Sequence, residues 1–370
     1  MTQAGEETLT FYMDESGFTG ERLMSPEQPV FIHVSTRLGD DRCRELHREF
    51  FGRSQADELK HSALARRPAG RERIVRFIEA LRQHAPDQFT AWYIHKEFTL
   101  LTYLVDLWVE NAAYRDGLDL YRDGGNLALC NMAYFCLPAF KSRAFLSGHL
   151  TRFQTMMMRR TPENYRKFWG RMQADYERAD QRVRDILASF LIAERKLAYG
   201  HLAALPPRSL DPLFTTAVST CGHWRGRTGL PLRLVHDSSS SLVRDSDLWG
   251  LITSPDMEPV TLGIPGRETE YPLNVQETVF ADSRDHLQLQ FCDLLAGASA
   301  VLARNRLAPP PDKDYCERLE AAGIEAFSIG GIWPAPHVDP DALGMRGWSG
   351  ASIDAITDRL AKLDRDRSRA

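Results

Sequence analysis

Short apolar runs in two separate parts of the chain predict the strands of a β-sheet. The runs are four to six residues long and lie at residues 9–13, 30–34, 89–94, 232–235 and 277–280. The run at 30–34 is almost continuously apolar, which is typical of a strand with neighbours on both sides. We therefore expect it to be central in the sheet.

A long block with helical periodicity separates the two groups of strands. From residue 98 to about 205 there is almost no strand signal, and the helical repeat is clearest in Val183, Ile186, Leu187, Phe190 and Leu191. Helices are also predicted at about 40–51, 71–84 and 285–303. Together these elements predict an α/β fold, in which helices flank a mixed sheet and a large helical insertion interrupts it.

The same pattern suggests boundaries for the parts of the chain. Residues 1–97 and 212–305 would form the core, and residues 98–211 would form the helical insertion. Residues 306–370, which begin with a run of prolines and include a predicted helix near 353–363, would form a C-terminal appendage.

Composition and cysteine usage narrow the class of protein. The start of the chain lacks a basic stretch followed by an apolar run, and the most apolar helix, at 98–109, is short and contains Asp106. We therefore expect a cytoplasmic protein without a membrane partner. The six cysteines contain no Cys-x-x-Cys pair, so we expect buried free thiols rather than a zinc site.

The charge is distributed unevenly. The net charge is −4, but residues 141–196 carry 13 Lys or Arg against 6 Asp or Glu. This segment could be an arm that binds phosphate groups. It could equally be a solvated helical surface with ion pairs between residues four apart, such as Asp180 and Arg184.

Four carboxylates in distinctive contexts are the candidate catalytic residues. Asp14 and Asp237 follow apolar strands, Glu58 precedes a predicted helix, and Asp293 lies in an otherwise apolar helix. Burying a carboxylate without a partner costs on the order of several kcal/mol. Four that converge would repel one another unless divalent cations lay between them, as in two-metal phosphodiesterase sites with metals about 4 Å apart.

Each of these acids also has an ordinary structural interpretation. Asp14 could begin a turn with Gly17, Glu58 could favour the positive end of a helix, and Asp237 could cap the following helix. Asp293 could simply be exposed. However, it belongs to a helical stripe that ends at Gly297, which suggests a close approach to the sheet edge.

At these residues the chain resembles a large bacterial and phage family, domain-of-unknown-function family 3800. The resemblance is carried by Tyr12-Met13-Asp14-Glu15-Ser16-Gly17, by Glu58-Leu59-Lys60, and by the segment from Asp282-Ser283 to Leu289-Gln290-Phe291-Cys292-Asp293-Leu294-Leu295-Ala296-Gly297. It implies a ribonuclease H-like fold. It also implies that Asp14 comes from the central strand, Glu58 from the first helical element, Asp237 from a neighbouring strand and Asp293 from the last helix.

The function expected on this basis is that of a metal-dependent nuclease for RNA or DNA. Asp14, Glu58, Asp237 and Asp293 would hold Mg²⁺ or Mn²⁺, which prefer oxygen ligands. Lys60 and Gln290 are candidates for substrate contact, and Glu15, Ser16 and Ser283 would support the metal ligands. The resemblance further implies a setting in phage defence or a mobile element.

Two other functions remain open. A non-catalytic binding protein could retain the fold, although none of the four acids is missing. A transposase would use the same acids, but no helix-turn-helix or zinc-finger pattern is present. Phosphate-binding, zinc-protease and hydrolase motifs, namely the P-loop, His-Glu-x-x-His and Gly-x-Ser-x-Gly, are also lacking.

The helical insertion is the predicted nucleic-acid arm. Its candidate phosphate contacts are Arg159, Arg160, Arg166, Lys167 and Arg171. Among them lie Tyr165, Phe168 and Trp169, which could stack on bases, although we expect at least two of the three to be core residues. The alternative is that the insertion mediates homo-oligomerisation or docking of a partner protein.

Overall fold

The computed structural model describes residues 7–52, 57–237, 246–254, 256–262, 269–308, 312–339 and 341–342. The first part of the chain supplies three strands and three helices before the insertion. In order these are β1 (Leu9–Ser16), β2 (Val30–Thr36), α1 (Asp40–Leu46, continued by a π-helical segment, His47–Phe51), α2 (His61–Leu64), α3 (Pro68–His84) and β3 (Phe89–His95).

The helical insertion is confirmed as a block without strands in the described structure. It comprises α4 (Lys96–Leu104, continued by a π-helical segment, Val105–Glu110), α5 (Asn111–Arg115), α6 (Gly125–Phe140), α7 (Arg143–Arg159), α8 (Pro162–Arg178) and α9 (Gln181–Ala204). These helices enclose their own hydrophobic core, in which Trp108, Phe153 and Phe168 are fully buried. The insertion therefore packs as a unit rather than as extensions of the sheet's core.

The last part of the chain returns to the sheet. It comprises α10 (Pro212–Thr228), β4 (Leu232–Asp237), α11 (Ser246–Ile252), β5 (Val260–Leu262), β6 (Thr269–Tyr271), β7 (Val275–Ala281), α12 (Leu287–Asn305), α13 (Lys313–Ala321) and β8 (Ser328–Ile332). β5 and β6 form a separate two-stranded sheet.

The main sheet is mixed and has six strands in the order β7-β4-β1-β2-β3-β8. β2 runs antiparallel to both of its neighbours, whereas the β1–β4, β4–β7 and β3–β8 pairs are parallel. The predicted α/β class with a mixed sheet and flanking helices is confirmed. β2 is buried along its whole length and has a neighbour on each side, as its apolar sequence predicts.

Helices cover both faces of this sheet, and the alternation of side chains along β1 shows which residues face which helix. Phe11 and Met13 belong to the core that includes Trp224 of α10. Tyr12 lies on the other face, where its ring is 5.7 Å from that of His286 at the start of α12. Asp14 therefore faces α12, and Glu15 faces α10.

The predicted boundary of the C-terminal appendage is wrong for residues 313–332. β8 pairs with β3 as the sixth strand, and α13 packs on α12 and α3. Glycines hide this strand in the sequence, because they lower strand propensity while allowing close approach. A Cβ at Gly331 would lie 2.3 Å from the carbonyl oxygen of Tyr93. The predicted helix at 353–363 lies outside the described residues.

The structure also bears on the cysteines and on the membrane prediction. The six thiols are free, and all except the partly exposed Cys136 are buried. Burial raises the pKa of Cys43 to about 12, which keeps this thiol protonated and unreactive.

Among the residues that the structure describes, no helix combines the length and the apolar character that a membrane span requires.

Candidate active site

Asp14 and Asp237 lie side by side on adjacent parallel strands. The strand register pairs Met13 of β1 with His236 of β4. Asp14 and Asp237 are the next residues along the two strands, so the strand spacing places their backbones roughly 5 Å apart and their side chains on one face. Asp14 is only 8% exposed, and its Oδ1 accepts a hydrogen bond from the backbone N–H of Glu15. The expected strand-end position of Asp237 is confirmed.

Glu58 and Asp293 are brought to the same place by a short segment that is bonded to α12. The backbone N–H of His61 donates to Asp293 Oδ2 over 2.6 Å, and Ser283 Oγ donates to Glu58 Oε1. Glu58 lies in a bend before α2 rather than in a helix, which differs from the expected helical placement. The reason is that the N–H groups of Leu59 and His61 bond to Gln290 and Asp293 of α12, and the backbone of Lys60 between them is extended.

Electrostatic interactions link the four carboxylates, because the charges of Asp237 and Asp293 act on Asp14, and those of Glu58 and Asp237 act on Asp293. Burial raises the pKa of Asp14 well above its ordinary value, and the charges of Glu15, Asp293 and Asp237 raise it further. The pKa of Asp293 is also raised, first by burial and then by Glu58 and Asp237, while the N–H of His61 and the charge of Lys60 oppose the shift. We refer to Asp14, Glu58, Asp237 and Asp293 as the acidic cluster.

Lys60 is the cation beside the acidic cluster. Its Nζ lies 3.1 Å from Glu58 Oε1, and about half of its side chain is exposed. Although partial burial acts to lower the pKa of Lys60, the hydrogen bond to Glu58 and the charges of Glu58, Asp293 and Asp237 raise it overall. The ammonium group therefore remains protonated at the solvent boundary, where it could donate to a phosphate oxygen.

Gln290 supports the cluster from beneath, and this differs from its predicted role in substrate contact. Its side chain is buried, its Oε1 accepts from the N–H of Leu59 over 2.9 Å, and its Nε2 donates to the carbonyl oxygen of Ser283 over 2.9 Å. Both ends of the amide therefore bond to backbone groups near Glu58: Leu59 follows Glu58 in the sequence, and Ser283 bonds to the carboxylate of Glu58. Gln290 is thus a positioning residue for the segment that carries Glu58.

Ser283 and Ser16, two of the three predicted supporting residues, differ in what they contact. The hydroxyl of Ser283 orients Glu58, as described above. Ser16 ends β1 opposite Ile32, and in the described ranges it makes no side-chain hydrogen bond. Of the two serines, only Ser283 is therefore placed to support a carboxylate of the cluster. Glu15, the third predicted supporting residue, contributes its backbone N–H to Asp14, whereas its side chain lies on the other face of the sheet.

A second polar group, which the sequence analysis missed, lies on the opposite face of the same strands. It consists of Glu15, His33 and His236, all buried, with His236 Nε2 3.6 Å from Glu15 Oε2 and the two imidazole rings 5.9 Å apart. Burial lowers the pKa of both histidines, which favours their neutral forms. The odd–even alternation along β1, β2 and β4 could have grouped them, because these positions share one face.

The residues of the acidic cluster fit a hard divalent cation better than any other common group. Their donors are all carboxylate oxygens from four separate segments, which is the ligand type that Mg²⁺ and Mn²⁺ prefer. The buried negative charge that raises the pKa of Asp14 and Asp293 would be offset by such a cation. Within the described ranges, no group of three or more His, Cys, Asp or Glu residues is arranged so that it could hold a metal ion.

The basic residues of the insertion have several different environments. Arg160 follows the last residue of α7 as its C-cap and donates to the carbonyl oxygens of Leu205 and Pro206, so it fixes a loop. Lys167 pairs with Glu163, and Arg171 pairs with Asp175, each across one helical turn. These pairs favour the ion-paired interpretation of this surface for Lys167 and Arg171, while Arg159 and Arg166 remain exposed.

The aromatic residues among them are unavailable for stacking on bases. Tyr165, Phe168 and Trp169 are all buried in the core of the insertion, as we expected for at least two of them. Thr161 caps α8 through Asn164, with Pro162 at the first helical position, so the predicted turn at this point is confirmed.

Gly297 is the point of closest approach between α12 and the segment that follows Glu58. A Cβ at this position would lie 2.3 Å from Cγ of His61, so the close approach is to α2 rather than to the sheet edge as predicted. His61 in turn has its Nε2 3.2 Å from the hydroxyl of Tyr315. Glycine is therefore required for His61 to hold Asp293 through its backbone N–H.

Substitution Gly297→Ala tests this contact. The added methyl group must displace His61, and such overpacking typically destabilises a protein by about 1–3 kcal/mol. We expect a lower denaturant midpoint together with weaker divalent-cation binding, measured by urea unfolding and by titration calorimetry. Gly170→Ala on α8 is the matched control, since nothing lies within 4 Å of its Cβ position. Equal stability of the two variants would contradict the assigned contact.

The arrangement combines carboxylates, a lysine and groups that hold two of the carboxylates in place. Carboxylates able to bind cations lie beside a lysine that could contact a phosphate oxygen, and Ser283, Gln290 and the N–H of His61 fix the positions of two of the acids.

The chain was also compared with family models, with curated proteins and with solved structures, and none of these comparisons finds a match.

Proposed function

We propose that this chain is a metal-dependent nuclease that hydrolyses phosphodiester bonds in RNA or DNA by a two-metal mechanism. The observation that carries the proposal is the acidic cluster itself. Four carboxylates from distant parts of the sequence meet where burial and mutual repulsion raise the pKa of two of them. Such an arrangement is costly for the fold alone, and it is useful when cations neutralise it.

The architecture supports a ribonuclease H-like fold as part of this proposal. Asp14 lies on a strand with neighbours on both sides, Asp237 ends the parallel strand beside it, and Asp293 lies on the helix that covers this face. These placements agree with the arrangement that the family resemblance implies. Glu58 departs from it only in preceding its helix. A role in phage defence or in a mobile element would follow from the same resemblance.

In this mechanism the protein's own residues would bind the metal ions, orient the carboxylates and contact the phosphate of the substrate. Asp14, Glu58, Asp237 and Asp293 would hold Mg²⁺ or Mn²⁺, which when bound would activate a water molecule and stabilise the leaving oxygen. Ser283 orients Glu58, and the N–H of His61 orients Asp293. Lys60 offers its ammonium group to a phosphate oxygen of the substrate.

A cleavage assay tests the proposal directly. Purified protein is incubated with single- and double-stranded RNA and DNA, each with Mg²⁺, Mn²⁺ or EDTA. We expect cleavage of at least one substrate with Mg²⁺ or Mn²⁺ and none with EDTA. Cleavage that persists in EDTA would contradict the metal mechanism, and no cleavage of any substrate would contradict the nuclease proposal.

Stability measurements give a prediction that does not depend on activity. The folded-state pKa values of Asp14 and Asp293 are raised above their ordinary value of 3.8. In EDTA, the free energy of unfolding of the protein should therefore decrease as the pH rises from about 3.8 through the raised pKa values, because the two groups must ionise in the folded state. A cation binds the ionised forms, so its stabilisation grows over the same range. A cation at 100 times its Kd adds about 2.7 kcal/mol. The increase in Tm on adding Mg²⁺ should be larger at pH 8 than at pH 5.

A further inference from the structure

A groove separates the loop after β1 from the end of α7. Its volume is about 570 Å³, and its polar lining is supplied by Thr19, Arg22, Ser25, Glu27, Thr155 and Arg159. The backbone N–H of Met24 donates to Gln154 Oε1 over 2.9 Å, which fixes the loop to the helix. The groove therefore lies where the loop after β1 is held against the helical insertion by a hydrogen bond.

The two arginines of this groove, Arg22 from the loop after β1 and Arg159 from α7, lack in the described structure the ion pairs and hydrogen bonds that engage most basic residues of the insertion. Arg22 and Arg159 are both exposed, and neither side chain makes an ion pair or a hydrogen bond within the ranges that the structure describes. By contrast, Arg160, Lys167 and Arg171 are already engaged by carbonyl oxygens or carboxylates. Arg159 is also the last residue of α7, where the helix dipole favours a cation.

A buried lysine lies beneath the groove. Lys96 has no exposed surface, and its Nζ donates to Thr19 Oγ1 over 2.8 Å. In the described structure this hydroxyl is its only polar partner, although an ammonium group has three donors. Burying a cation without a counter-ion is costly, and an anion over Thr19 would offset this cost. Burial alone lowers the pKa of Lys96 to about 7.

A short stretch of sequence connects a residue of the groove with a residue of the acidic cluster. Thr19 is five residues after Asp14, so their Cα atoms can be at most about 18 Å apart. At the other end of the loop, the N–H of Lys96 donates to the carbonyl oxygen of Pro29. A nucleic-acid strand that is cleaved at the cluster can therefore reach the groove within a few nucleotides.

We propose that this groove binds the phosphate backbone of the nucleic-acid strand on its way to the acidic cluster, with Arg22 and Arg159 as the phosphate contacts. The inference rests on the proposed nuclease function and names the substrate path of that site. Glu27 is the one carboxylate in the lining, and it limits the positive charge of the groove. Of the basic residues predicted in the insertion, the structure selects Arg159, and it adds Arg22 from the loop.

The test is salt-dependent binding of a fluorescent single-stranded oligonucleotide, measured by anisotropy in EDTA so that no cleavage occurs. The double substitution Arg22→Gln and Arg159→Gln should weaken binding about 10-fold near 0.1 M salt. It should also flatten the slope of log affinity against log salt by about 1.4, since each single-strand phosphate contact contributes about 0.7. Glu27→Gln should act in the opposite direction and tighten binding.

Arg166→Gln is the matched control, because Arg166 is also exposed but lies outside the groove on α8. An unchanged slope and affinity in the double variant, with cleavage still dependent on Mg²⁺, would overturn the groove and leave the nuclease proposal standing. A flattened slope in a protein that cuts no substrate would support the groove and overturn the nuclease. Equal effects of Arg166→Gln and the double variant would show nonspecific attraction and overturn the groove.

Discussion

Replacing Asp14 with Asn is expected to abolish cleavage while leaving the fold intact. Asn retains the oxygen that accepts the N–H of Glu15, so the local backbone is undisturbed. It removes one negative charge from the acidic cluster, and cations should then bind weakly. We expect a loss of at least about 10³-fold in kcat/KM, which corresponds to about 4 kcal/mol of transition-state stabilisation.

The stability of the same variant separates a catalytic role from a structural one. In EDTA, Asp14→Asn should be as stable as the wild type or more stable, because it removes a buried charge with raised pKa. With Mg²⁺ the order should reverse, since only the wild type gains from binding. Glu163→Gln, which changes an exposed acid on α8, is the control. Cleavage by Asp14→Asn at the wild-type rate would rule out the two-metal mechanism.

Replacing Gln290 with Met is expected to have the second largest effect. Met preserves the length and volume of the side chain but leaves the N–H of Leu59 without a partner, and it removes one of the two hydrogen bonds to the carbonyl of Ser283, which keeps the N–H of His286. An unsatisfied buried group costs about 1–3 kcal/mol. Because both groups lie near Glu58, we also expect a loss of about 10- to 100-fold in activity, similar to the loss of supporting residues in metal sites.

Gln288→Met provides a matched control for this prediction. Gln288 lies on the same helix and is equally buried, but it donates to Leu38 and Asp40, away from the cluster. Urea unfolding should show a loss of stability in both variants, whereas the affinity for Mg²⁺ in calorimetry should fall only in Gln290→Met. A similar loss of affinity in both would mean that Gln290 acts only through global stability.

Local patterns were sufficient for most of the elements and for the choice of acids. The apolar runs predict β1, β2, β3, β4 and β7, and the helical repeat predicts the insertion with its buried Tyr165, Phe168 and Trp169. Asp14 and Asp237 were both expected at strand ends, and Asp237 is the last residue of β4, whereas Asp14 lies within β1, two residues before its end. These features depend on neighbours in sequence, where the spacing of apolar residues reports directly on the buried face.

Other features depend on contacts between distant residues and were invisible in the sequence. β8 was missed because its glycines are explained only by Tyr93 and Trp92 of β3. Gln290 resembled a substrate ligand until its two backbone partners, one of them 231 residues away, were known. The histidines of the second polar group likewise looked like isolated residues in separate strands.

The sequence by itself thus determined the α/β class with its mixed sheet and flanking helices, because periodicity is a local property. Only the tertiary structure decided that burial and neighbouring acids raise the pKa of Asp14 and Asp293, that Gln290 and Ser283 position the Glu58 segment, and that Arg22 and Arg159 share a groove. Burial, hydrogen bonding and charge interaction are set by distances between segments, and folding alone establishes those distances.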